Sequence, residues 1–168
     1  MPTMAEHIEL ANRNQAVLDY LLKDIALCAE TIAVTAFCKS LHVMEAVFHH
    51  REKRHFQSHS ERDAYIKKHK CYSTLWPQYR AMSSASYVAR YLADNQTQQG
   101  FSRFDDYLCA ADLQSKLLDG YLFRFEHLAD QMLPQGHGLN RYRKITPVTI
   151  QSPHGASSQI VGAAQAPP

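Results

Sequence analysis

The chain has 168 residues and a mass of 19.2 kDa, about one domain's worth and long enough to bury a core without disulfide staples. Hydrophobic residues make up 45% and charged residues 20%, which excludes a wholly disordered chain, a collagen and a coiled-coil rod. The net charge of +2 is too small by itself to imply a polyanion partner, no apolar run approaches the roughly 18 residues of a membrane span, and the N-terminus lacks the pattern of a signal peptide.

Residues 4–22 are predicted as a helix, with Ile8, Ala11, Leu18 and Leu22 at helical spacing and Glu6, Glu9, Arg13 and Asp19 on other faces. A short break falls at Lys23-Asp24. Residues 25–51 are predicted as a second helix. It is apolar on more than one face, through Ala29, Ala33, Ala36, Phe37, Val43 and Phe48, so it belongs at the centre of a bundle. Lys39, His42 and Glu45 interrupt its apolar run, and His42 is expected to be a hydrogen-bonded core residue. Residues 52–57 form a polar connection. Ser58-His59-Ser60-Glu61 then fits a capping box, opening a third helix that runs to about Lys70. Thr74 to Asn95 is predicted as a fourth helix, with Pro77 tolerable only in its first turn. Phe104 to Leu133 is predicted as one long helix with a stripe from Leu108 through Leu118, Leu122 and Phe125 to Met132; a close helix crossing is expected to explain Gly120 in its middle. Residues 134–168 turn to Pro, Gly, Ser and Ala and are expected to form a flexible tail, largely disordered from Leu139 onward. The expected fold is all-α: a single helical bundle over residues 1–133.

The positive charge is local. Residues 51–70 carry seven basic groups (Arg51, Lys53, Arg54, Arg62, Lys67, Lys68, Lys70) and three acidic ones, and five of the ten histidines (His49, His50, His55, His59, His69) lie in or beside this block. Such a patch suits phosphates. Arg141, Arg143 and Lys144 add a smaller basic group near the tail. The cysteines Cys28, Cys38, Cys71 and Cys109 form no C-x-x-C pair, which predicts reduced and mostly buried thiols in a cytoplasmic protein. No H-E-x-x-H, C-x-x-C or Gly-rich phosphate loop is present, so neither a metal site nor a cofactor is expected.

Four segments in order carry a likeness to a known family: Asn12-Arg13-Asn14-Gln15-Ala16-Val17-Leu18; Ala33 through Leu41-His42-Val43-Met44-Glu45-Ala46; Ser58-His59-Ser60-Glu61-Arg62; and Tyr79 through Ala89-Arg90-Tyr91. Together they resemble the HEPN superfamily of helical-bundle proteins, in particular its stand-alone bacterial members, over roughly residues 8–132. The resemblance implies an up-and-down bundle of four to five helices, a homodimer and a protein partner, in a defence or toxin–antitoxin setting. In the ribonuclease members, an Arg, then four to six intervening residues, then a His carry metal-independent RNA cleavage. Here Arg90 lacks a following His, and Arg103 lacks one too; the only Arg-x4-His runs from Arg54 to His59.

Two expectations follow. The first is a non-catalytic helical module acting through protein contacts or dimerisation. The second is a divergent ribonuclease or RNA-binding protein. Its candidate base is His59, near a helix start whose dipole favours both a phosphate and the neutral imidazole. Its candidate catalytic cations are Arg62, Arg54 and Arg90, and its candidate RNA contacts are Arg51, Lys53, Arg54, Lys67 and Lys68.

Overall fold

The computed structural model describes residues 2–95 and 97–144. Helix α1 spans Met4–Leu21 and starts at a capping box: the Glu6 amide donates to the Thr3 hydroxyl, and the Thr3 amide donates to the Glu6 carboxylate at 2.7 Å. A 3-10 turn, Leu22–Asp24, makes the predicted break. Helix α2 spans Ala29–Glu52 and packs against α1, the helix over Trp76–Tyr91 and the last helical segment. Its fully buried alanines, Ala33, Ala36 and Ala46, let neighbouring helices approach closely, while Ile32, Val43, Met44 and Phe48 fill the space between them. By length and apolarity alone α2 passes for a membrane span, yet 72% of that window is buried inside this fold.

Helix α2 ends at Lys53, a residue in the left-handed region (φ 54°). The chain then turns through Phe56 into α3, His59–Lys68. Ser58 caps α3, accepting from the Glu61 amide at 3.2 Å, but the reciprocal Glu61 carboxylate bond of the predicted capping box is not formed. Four rings fix this corner. Phe48 meets Phe56 and Tyr72 edge-on at 4.9 and 5.1 Å, and Tyr65 lies 5.0 Å from Phe56. The Tyr65 and Tyr72 hydroxyls both donate to Glu52 at the end of α2. A short helix α4, Lys70–Ser73, leads to α5, Trp76–Tyr91, with Pro77 in its first turn.

The last predicted helix is not continuous. Phe104–Tyr107 forms a separate turn, α6, and Leu108 is extended (φ −152°, ψ 103°). The helix proper begins as α7, Ala110–Asp112, passes through a π-helical stretch, Leu113–Leu122, and ends as α8, Phe123–Asp130. Gly120 lies in the π stretch. A Cβ there would meet only the carbonyl oxygen of Ser115, at 3.4 Å, so the expected helix crossing does not explain it. The π turn brings the carbonyl five residues back to that distance, an ordinary contact, so nothing in the described structure requires glycine there.

The described residues contain no strand beyond an isolated bridge between Ala93 and Gly100. The protein is an all-α bundle around one apolar core. Residues 139–144 depart from the expected tail. Tyr142 is 2% exposed, its amide donates to Glu126 at 2.6 Å, and its hydroxyl donates to Asp119 at 2.9 Å. The remainder of the predicted tail, 145–168, lies outside the described residues. The four cysteines are free, as expected, but Cys28 and Cys38 are only half-buried and Cys71 and Cys109 are exposed.

Candidate functional site

Helix α2 carries a carboxylate into the core: Glu45 is 1% exposed. Its Oε1 accepts from Arg62 Nε at 2.5 Å, and its Oε2 accepts from the Phe56 amide at 3.4 Å. The capped start of α3 sets the position of Arg62, whose Nη2 donates to the Phe56 carbonyl at 3.3 Å. Two histidines complete the group. His55 Nδ1 lies 2.8 Å from Glu45 Oε2, and the His7 ring, from α1, stacks on His55 at 5.4 Å. His42, one turn before Glu45 on α2, places its Nδ1 3.3 Å from His7 Nδ1.

Burial governs the protonation of these rings. It holds the His7 pKa down at about 4 and pushes the His42 pKa down as well, outweighing the raising effect of the Glu45 charge. His7 is therefore neutral at pH 7. One of its nitrogens faces His42, while the other, Nε2, is buried without a hydrogen-bond partner.

Outward from this centre, α3 and its flanks form a basic surface. His59, Ser60, Asp63, Lys67, Lys68 and Asn95 surround an open concavity of about 600 Å³. A second hollow, about 490 Å³, is lined by Arg54, Tyr65, Lys68 and His69 among others. Cations and rings alternate here. The Arg54 guanidinium lies 4.5 Å from the Tyr65 ring centre, Tyr65 stacks on His69 at 3.7 Å, and Lys67 Nζ lies 4.4 Å from the Trp76 ring centre.

The candidate catalytic residues separate. His59 and Arg62 do meet, with His59 Nδ1 3.1 Å from Arg62 Nη1. Burial, then Arg62 and Arg90, lower the His59 pKa, so Arg90 lies within electrostatic range of it. Arg62, however, is 4% exposed, and its guanidinium is taken up by Glu45, His59 and the Phe56 carbonyl. It has no open face for a phosphate, and its role is structural. Arg54 lies against the rings of Tyr65 and Phe56 instead of beside His59. Arg90 is exposed, with its Nε donating to the Ser86 carbonyl at 3.0 Å.

The candidate RNA contacts keep their accessibility. Arg51, Lys53, Arg54, Lys67 and Lys68 are all exposed, and none forms an ion pair among the described residues. The smaller basic group lines a different concavity of about 660 Å³, beside α1 and α8. There Arg141 pairs with Asp130 at 3.1 Å, and Lys144 lies over the Phe123 ring.

Sequence reasoning missed the cluster of His7, Glu45 and His55. Its members stand 38 and 10 residues apart and match no local motif. The one available signal was the interruption of an apolar helix by His42 and Glu45. No protein-family model matches the chain, and neither a curated protein nor a solved structure matches it.

Proposed function

We propose that the protein is a non-catalytic, HEPN-like helical module that binds single-stranded RNA through the surface of α3 and its flanks. One observation carries this reading. Five cations at that surface form no ion pair among the described residues, while the arginine best placed to act with His59 is buried against Glu45. A phosphate chain laid along this face meets Lys67 and Lys68 beside one hollow and Arg54 beside the next, with Tyr65, His69 and Trp76 among them. That pairing of backbone cations with ring faces suits single strands of any sequence. Cleavage would need a cation open to the phosphorane, and the guanidinium of Arg62 is buried and already engaged by Glu45, His59 and the Phe56 carbonyl.

The test is fluorescence anisotropy with a labelled single-stranded RNA in EDTA, across 50–200 mM salt. Binding through three to five phosphates gives a log–log salt slope of about −2 to −3.5. Lys67→Glu/Lys68→Glu should weaken binding at least about tenfold and leave the RNA intact. Binding that ignores salt and both substitutions would defeat the proposal. RNA cleaved by the wild type and spared by His59→Ala would replace it with the nuclease reading.

Dimerisation is a second reading, favoured by large apolar side chains that the monomer leaves exposed. Tyr20 near the end of α1 is 69% exposed, and Leu27 just before α2 is 78% exposed. Sedimentation of wild type beside Tyr20→Ser/Leu27→Ser decides it: a dimer that the double variant dissociates supports this interface, and a monomeric wild type rejects it.

A further inference from the structure

We propose that His7, Glu45 and His55 form a binding site for one divalent transition-metal ion, with zinc the ion that this donor set fits. The site is separate from the RNA surface and stands or falls independently of it. Each of the three residues offers one ligand atom, and those atoms lie within 4.8 Å of one another. Two imidazoles and a carboxylate match the three-ligand sites in which zinc keeps a fourth position open. Magnesium and calcium prefer six or more oxygens, so this N2O set selects against them.

The second, independent observation is the orphaned ring nitrogen of His7: the residue is 3% exposed, yet its Nε2 has no hydrogen-bond partner. Buried polar atoms without partners are uncommon and call for a cause. His55 Nδ1 and Glu45 Oε2 sit side by side, 2.8 Å apart. An ion about 2.0–2.2 Å from each holds such atoms roughly 2.9–3.4 Å apart. The longest ligand separation, at most 4.8 Å, closes with a movement of at most about 1.4–1.9 Å.

The surroundings are arranged as those of a metal site usually are. The far nitrogen of His7 is held by His42 at 3.3 Å, which leaves Nε2 facing the cluster. Arg62 occupies Oε1 of Glu45, so the carboxylate binds through Oε2 alone. The ion would join α1, α2 and the connection before α3.

The experiment uses the full chain, stripped with a chelator and titrated with Zn2+ against a chromogenic competitor. Metal content is read by mass spectrometry, and Co2+ substitution gives a visible spectrum. The expected result is one ion per chain, a melting temperature raised by Zn2+, and an affinity at least about tenfold weaker in His7→Gln and in His55→Gln. His50→Gln, on a half-buried histidine outside the cluster, should bind as the wild type does. Retention of full affinity by His7→Gln and His55→Gln, or its loss in His50→Gln, would overturn the assignment. If either cluster variant fails to fold, wild-type Co2+ decides: ligand-field bands at one equivalent support the site, and their absence refutes it.

Discussion

Helix α2 buries two charged residues only six positions apart, and the contrast between them separates structure from function. Lys39 is fully buried, and each proton of its ammonium has a destination: the Glu126 carboxylate, Gln15 Oε1 at 2.5 Å and the Asn140 carbonyl at 2.9 Å. Glu126 in turn accepts from the Tyr142 amide. This centre is closed, and it ties α1, α2, α8 and residues 139–144 together. Glu45 is equally buried and also has its cation, Arg62, but its neighbour His7 keeps a ring nitrogen, Nε2, without a hydrogen-bond partner. A saturated buried pair explains itself by packing. An unsaturated one implies a missing partner.

The largest effect should come from opening the closed centre. Lys39→Met leaves the Glu126 carboxylate buried without its ammonium, and breaking such a pair costs about 3–5 kcal/mol. Urea unfolding measures it. The double variant Lys39→Met/Glu126→Leu should recover much of that loss, because no charge remains to be solvated. A cost below about 1 kcal/mol for Lys39→Met would mean that water reaches this centre, and the contrast with Glu45 would collapse. Arg62→Met should cost less, about 1.5–3 kcal/mol, the range for a hydrogen bond to a charged group. Glu45 retains the Phe56 amide and has His55 Nδ1 within 2.8 Å, and His55 can turn outward to admit water.

The two centres differ in how far the sequence reveals them. The helices α1, α2, α3 and α5 were legible because their signals are local: apolar spacing, the Ser58 cap and a proline confined to a first turn. The polar interruptions of α2 at Lys39, His42 and Glu45 were legible too. Their partners were not, because Glu126, Asn140, His7 and Arg62 are brought to them by packing across 17 to 101 residues of chain. The break at Leu108 escaped notice for a related reason. No glycine or proline marks it, and the leucine stripe continues through the π stretch with the same residue types that an α-helix uses. The beginning of the supposed tail looked featureless, yet Tyr142 is held there by Glu126 and Asp119, which no composition argument could reveal.

Acidification should separate the centres again, now through His7. With its pKa held at about 4 by burial, against about 6.5 in the unfolded chain, the unfolded state binds more protons between those values. Stability is therefore complete above about pH 6.5 and falls as the pH drops toward 4. Between pH 7 and pH 5 the loss amounts to about 2 kcal/mol. Urea midpoints measured in EDTA for wild type and His7→Gln test this. The variant should lose most of the slope, whereas an unchanged slope would assign the acid sensitivity elsewhere, with His42 and His59 the next groups to examine.

The smallest effect on stability, and the sharpest on function, belongs to the outer face of α3. Lys67 and Lys68 are exposed and lack ion pairs among the described residues, and Lys67 rests against Trp76 at 4.4 Å. Replacing both with alanine should change stability by no more than about 0.5 kcal/mol, as surface substitutions usually do. The same change should reduce the salt slope for single-stranded RNA by about 1.4, two cations at roughly 0.7 each. A stability loss without a change in slope would make these lysines part of the packing of α3 on α5. A change in slope without a stability loss is what solvated cations kept for a phosphate chain would give, and it would leave the buried Glu45 centre untouched by the loss of the outer charges.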